Sequence, residues 1–331
     1  MMKDLIKTLT EAYGPSGDEG QVRALIQDAI RDVVTEMRTD SLGNLIALRK
    51  GKGGGRRVML AAHMDEIGLV VTHIDKKGFL RVGRVGGVQP PTLMGGRVRF
   101  GNGTVGVIGS ETWLRSNDAL KWEQVFVDVG ATSLTDAPVR VGDVACFVRS
   151  YEEMGDRLIA KAMDDRVGCA VLIQTLQDLS ESPHDVYAVF TTQEEVGTRG
   201  ALVSAFGIEP DVAVALDVTA TGDFPEAKPM AVELGAGPAI KVMDSGFLAH
   251  PGVKGWMIAG AERLGIPYQR EVLELGSTDA RAIQMSRAGV PTGALSLPAR
   301  YVHTPSEMVD LRDLQGAVKL LAGLLAEPIE L

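Results

Sequence analysis

The chain has 331 residues, long for one compact domain and suited to a large α/β unit or to two domains. A hydrophobic content of 45% beside 23% charged residues is ordinary for a globular protein. With 34 Lys and Arg against 43 Asp and Glu, the net charge of −9 argues against a nucleic-acid or anionic-membrane surface.

Along the chain, Leu5, Ile6 and Leu9 have helical spacing, and Gly14 with Pro15 ends that helix. The opening residues carry no apolar core followed by a small-residue cleavage site, and no run of about 18 apolar residues occurs, so neither a signal peptide nor a membrane span is expected. Ser16 with Glu19 matches a capping box ahead of a helix carrying Val22, Leu25 and Ile26. Val33 to Met37 and Leu42 to Leu48 read as strands. The turn GKGGGRR lacks the Lys-Ser/Thr of a phosphate loop and leads into the apolar strand Val58 to Ala62. The texture changes after residue 66: ten glycines lie between Gly78 and Gly109, interleaved with Val, Arg and Phe, which fits short strands and tight turns. Helical and strand patterns resume at Lys161, with a helix through Val171, Leu172 and Leu176 and strands at 186–192 and 212–217. This alternation predicts an α/β domain of residues 1–66 and 160–331, interrupted by an all-β insert of residues 67–159. Cys146 and Cys169 are far apart, have no metal-type spacing and read as reduced core residues of a cytoplasmic protein.

Chemistry concentrates at a few places. His63 ends the strand VMLAAH, and Asp65, two residues on, shares its face if the chain stays extended; a carboxylate commonly orients a ligating imidazole. Asp164 and Asp165 precede a helix, where capping alone would also explain them. Glu194 and Glu195 follow the apolar stretch Val186 to Phe190, and two adjacent like charges there are costly unless a cation or a proton shares the site. Asp217 closes the strand Val212 to Leu216, and His303 follows an apolar run. These groups fall at the carboxyl ends of predicted strands, where open α/β sheets place their sites. Two histidines with several carboxylates suit a pair of divalent ions bridged by one carboxylate. Of the remaining histidines, His73 and His250 have no partner pattern and His184 reads as a loop residue. Met163 and Met285 read as packing, and Arg300 and Tyr301 as packing or a surface ion pair.

Taken in order, AAHMDEIG, MDDRVG, TTQEEVGTRGA, ALDVT, GSTDA and RYVHTPSE resemble the tetrahedral aminopeptidases, the di-metal family that includes glutamyl aminopeptidases. The likeness extends to GPSGDEG near the start and to VFVDVGATS and VRVGDV in the insert. It implies a mixed-sheet, zinc-peptidase-like catalytic domain carrying a small barrel-like all-β domain. By this resemblance His63, Asp164 and Asp217 would hold one metal and Asp164, Glu195 and His303 the other. Asp65 would orient His63, Asp165 would follow a cis peptide bond, and Glu194 would be the general base beside a metal-bridging hydroxide. The expected cofactors are two divalent ions, Zn or Co, and the expected substrates are short peptides with a free N-terminus. No nucleic acid or membrane is expected as a partner. The insert would pair chains into dimers, and six dimers would close into a dodecamer. Paired carboxylates also serve glycoside hydrolases such as endoglucanases, and an inactive scaffold is the third reading.

Overall fold

The computed structural model describes residues 2–111 and 120–331. It opens with α1 (Met2–Glu11) and α2 (Gly20–Ile30), which bury Ile6 and Leu9, and Val22, Ile26 and Ile30, one face each at helical spacing. The Ser16–Glu19 capping box does not form. Ser16 Oγ donates to Asp65 at 2.6 Å, and the Glu19 carboxylate accepts from the N–H groups of Gly17 and Gln193. Next come β1 (Glu36–Thr39), β2 (Leu45–Arg49) and β3 (Arg57–His63). Both β1 and β2 begin later than their apolar residues indicate: Val33 and Val34 pack against the core in the turn closing α2, and the N–H groups of Leu42, Gly43 and Asn44 donate to the Asp40 carboxylate in the turn before β2.

A second unit follows. Strands β4 (Gly68–Ile74), β5 (Leu80–Val85), β6 (Arg97–Phe100), β7 (Val105–Ser110), β8 (Val125–Asp128) and β9 (Val144–Phe147) close into a barrel of order β4-β5-β8-β7-β6-β9. All its pairings are antiparallel. It has its own core, with Leu69, Leu80, Val98, Phe100, Ile108 and Val127 inside.

The chain then returns through β10 (Glu152–Met154), β11 (Arg157–Ala160), α3 (Met163–Asp178), β12 (Asp185–Thr191), α4 (Arg199–Ile208), β13 (Val212–Thr219) and β14 (Ala239–Met243). It finishes with α5 (Pro251–Leu264), β15 (Gln269–Val272), α6 (Asp279–Gln284), β16 (Thr292–Arg300), β17 (Glu307–Asp310) and α7 (Leu311–Leu325). Its mixed sheet has the order β1-β2-β12-β3-β13-β16-β17-β11-β10, with β14 on β16 and β15 on β14. The central strands β12, β3, β13 and β16 are parallel. Successive residues face opposite sides. Val58, Leu60 and Ala62 meet α1, α2, α3 and α7, while Met59 and Ala61 meet α4 and α6. Burial on both faces explains why these strands are apolar throughout rather than alternating.

One buried cation ties the start of the chain to the return. Arg166, fully buried, donates to the carbonyls of Leu9, Gly14 and Met64 and pairs with Glu66, which also accepts from Lys161. His184 lies in the loop before β12, as expected, but is anchored there. It is buried, its Nδ1 accepts from Arg56 N–H, and its Nε2 lies 2.8 Å from the Glu327 carbonyl. Cys146 and Cys169 are buried free thiols. No described helix is long and apolar enough to cross a membrane.

Candidate metal centre

The parallel strands point their carboxyl ends to one edge of the sheet. There β3 ends in His63, the Glu194–Glu195 pair follows β12, Asp217 lies near the end of β13, and His303 follows β16. Asp164 arrives from the other direction, at the start of α3, and the Asp164–Asp165 peptide bond is cis.

Two triads result. His63 Nε2 lies 3.0 Å from Asp164 Oδ1 and 3.8 Å from Asp217 Oδ1. His303 Nε2 lies 3.3 Å from Asp164 Oδ2 and 3.3 Å from Glu195 Oε2. Asp164 therefore serves both triads, one carboxylate oxygen to each. Within each triad one donor atom per residue falls within 4.8 Å of the others. Glu194 belongs to neither triad but lines the same cleft, of about 1190 Å³, beside Asp164, Asp217 and His303.

The residues around the triads hold them in place. His63 Nδ1 is 3.1 Å from the backbone carbonyl of Asp65 and 3.5 Å from its carboxylate, so the carbonyl is the nearer anchor of the ring. The Asp65 carboxylate accepts from Ser16 Oγ and from the N–H groups of Glu194 (2.9 Å) and Glu195 (3.2 Å), which sets the path of the glutamate pair. Asp165 accepts from His63 N–H and Gly168 N–H. Glu307 accepts from Asp164 N–H and His303 N–H. Asp279, behind the site, accepts from Thr191 Oγ1. Sequence reasoning gave no role to Ser16 here, nor to Glu307 or Asp279, although the last two lie inside the segments RYVHTPSE and GSTDA; the available signal was their spacing from His303 and from the sheet edge.

Charge decides what this site can hold. Burial raises the Glu194 and Glu195 carboxyls, and neighbouring carboxylates raise them further. Asp217 is pushed up to about 6, again by burial first. Burial alone would lower the two imidazoles, yet Asp164, Asp217 and Asp65 hold His63 well above its ordinary value, and Asp164 and Glu195 push His303 up to about 12. Among the described residues no Lys or Arg pairs with Asp164, Glu194, Glu195 or Asp217, so protonated imidazoles are the only cations in contact with the triads. Glu195 Oε1 is buried with no hydrogen-bond partner. Carboxylates in excess, two imidazoles and an unpartnered buried oxygen fit divalent cations with mixed N and O donors.

At the rim, Arg300 pairs with Asp223 at 2.6 Å and Tyr301 packs against Phe224. Met285, read as packing, is 73% exposed and lines the cleft, whereas Met163 is fully buried. His73 and His250 are exposed.

A family model described as M42 glutamyl aminopeptidase matches residues 43–320. A lysyl aminopeptidase of Pyrococcus furiosus is 38% identical over 98% of this chain and 96% of its own length. An aminopeptidase structure from the archaeon Desulfurococcus kamchatkensis is 42% identical, covers 99% of this chain and 95% of that one, and superposes with a TM-score of 0.95. The Pyrococcus horikoshii TET1 peptidase, which can assemble into a tetrahedron or a large octahedral shell, is 34% identical, with 99% and 100% of the two chains covered and a TM-score of 0.89.

Proposed function

The chain belongs to the M42 glutamyl aminopeptidase family and is an aminopeptidase, and from that premise we propose a two-metal enzyme that removes N-terminal residues from short peptides with Glu194 as its general base. One observation carries the reading: two imidazole–carboxylate triads share Asp164 at the floor of a cleft, and a further carboxylate stands beside both and belongs to neither.

His63, Asp164 and Asp217 would hold one ion, and Asp164, Glu195 and His303 the other. Two such ions, Zn or Co as the family resemblance implies, would supply Lewis-acid polarisation of the scissile carbonyl and acidify a water molecule. Glu194 accepts the proton of the attacking water as its oxygen bonds to the carbonyl carbon. It then returns that proton to the departing amine nitrogen as the C–N bond breaks. Asp65 fixes both glutamates through their backbone N–H groups, so the base and the adjacent ligand keep one relative placement. The acidic cleft floor attracts the ammonium of a peptide N-terminus. A glycosidase would need two carboxylates and no imidazole, and each triad here includes one.

In the same reading the barrel is an inserted unit through which chains pair, six pairs closing a dodecamer, and the rest of the chain is the catalytic unit; the expected boundary at residue 159 falls too late, because β10 and β11 join the mixed sheet beside β17. The support is that the barrel has its own core yet leaves Val105 and Val107 on β7 48% and 46% exposed.

The test is a matched pair of peptides, one with a free amine and one N-acetylated, assayed on metal-loaded protein. The free peptide is expected to turn over and the acetylated one to fail, because acetylation removes both the charge and the amine lone pair. Equal rates would turn the assignment toward an endopeptidase or deacylase.

A further inference from the structure

The barrel touches the metal centre through two glycines in the turn after β5. A Cβ built on Gly87 would sit 2.3 Å from His303 Nδ1 and 2.6 Å from its Cε1. On Gly86, whose φ is +76°, it would meet a methyl of Ile67 at 2.8 Å, Glu195 Oε2 at 3.0 Å and Glu195 Cβ at 3.2 Å. The barrel backbone thus lies directly against two members of one triad. We propose that the Gly86–Gly87 turn is a positioning element for the ion site of Asp164, Glu195 and His303, a buttress that holds the His303 ring against its carboxylate partners; this rests on the two-metal reading above.

His303 has little room to yield. Its backbone is in the left-handed region, at φ +62°, and its N–H is tied to Glu307 Oε1 at 2.8 Å. Its Nε2 is already 3.3 Å from both Asp164 and Glu195, while the opposite edge of the ring faces Gly87. A methyl at position 87 needs the 2.3 Å contact to open to an ordinary 3.4 Å, a shift of about 1 Å. Metal–nitrogen distances tolerate only about 0.2 Å, so a displaced ring no longer ligates well. Among the described glycines, none of the close contacts of a built Cβ involves His63 or Asp217, and the first triad is left untouched. The effect must therefore be selective.

Calorimetric titration of ion-depleted protein with Zn²⁺ or Co²⁺ separates the possibilities. Wild type is expected to bind two ions per chain; fewer than two would overturn the two-metal reading itself. Gly87→Ala is expected to keep one site and to weaken the second by about 10–100-fold, the range for losing a group that orients a ligand. Gly255→Ala is the control, since Gly255, like Gly87, lies outside the left-handed region and has open space around its Cβ position; it should bind two ions as wild type does. Where Gly87→Ala fails to fold, the His303→Ala/Gly87→Ala double variant should fold, because the methyl then occupies the space of the ring. Two unchanged sites in Gly87→Ala, equal loss of both sites, or a double variant that also fails to fold would each overturn the proposal.

Discussion

Replacing each glutamate of the pair by glutamine should give two different defects. Glu194 contributes no donor atom to either triad, and its carboxylate makes no hydrogen bond among the described residues. Gln keeps its volume, so Glu194→Gln should retain both ions and near wild-type stability while losing the proton acceptor. General-base catalysis contributes about 10²–10⁴-fold, or about 3–5 kcal/mol of transition-state stabilisation at 1.36 kcal/mol per tenfold, and the loss should fall on kcat. Glu195 instead places Oε2 3.3 Å from His303 Nε2 within its triad. Glu195→Gln removes an anionic donor, so affinity at that site should fall by more than the about 10–100-fold that losing a supporting group costs, and excess metal should partly restore the rate. Metal analysis of both variants beside kcat on a panel of aminoacyl p-nitroanilides reads out both effects. Swapped outcomes would mean that base and ligand are reversed, and near-normal rates in both would make the pair a solvated loop.

Asp65→Asn should slow turnover and lower the denaturation midpoint. One amide oxygen cannot replace a carboxylate that accepts from Ser16, Glu194 N–H and Glu195 N–H, and a buried N–H left unpaired costs about 1–3 kcal/mol; unchanged rate and stability would contradict this. Metal affinity should rise with pH. In the ion-free chain neighbouring carboxylates outweigh burial and hold His63 and His303 protonated near neutrality, His303 up to about 12. Each proton must leave before its nitrogen ligates, so affinity gains up to about tenfold per pH unit for every proton released; a flat profile over about pH 6–9 in titration calorimetry would refute the linkage. Light scattering of the metal-loaded protein should give the mass of a multiple of dimers, and a monomer mass at full activity would remove the assembly role of the barrel.

The sheet edge and its donors were legible because each lies where an apolar run meets a polar residue: His63 after VMLAA, Glu194 and Glu195 after Val186 to Phe190, Asp217 after Val212 to Leu216. Parallel strands buried on both faces leave uninterrupted apolar runs, and those runs announce their own ends. Contacts made across long separations were not legible. Ser16 matched a local capping pattern, yet its hydroxyl donates to Asp65, 49 residues on, because the buried carboxylate accepts that proton in a charge-assisted bond whereas a helix N-terminus presents only N–H donors. His184 does lie in the loop before β12, but its burial was not legible because its partners, Arg56 and Glu327, are distant in sequence. Gly87 was one glycine among ten in a β-rich stretch, and only the fold places it against His303.

The central claim is that the triads work by holding ions, and the most direct test is to follow ions bound and peptide turned over in one sample. Protein stripped with excess EDTA, with metal analysis confirming the loss, should be inactive, and Zn²⁺ or Co²⁺ should restore turnover as occupancy climbs to two ions per chain. Full turnover by the ion-free chain would contradict the account.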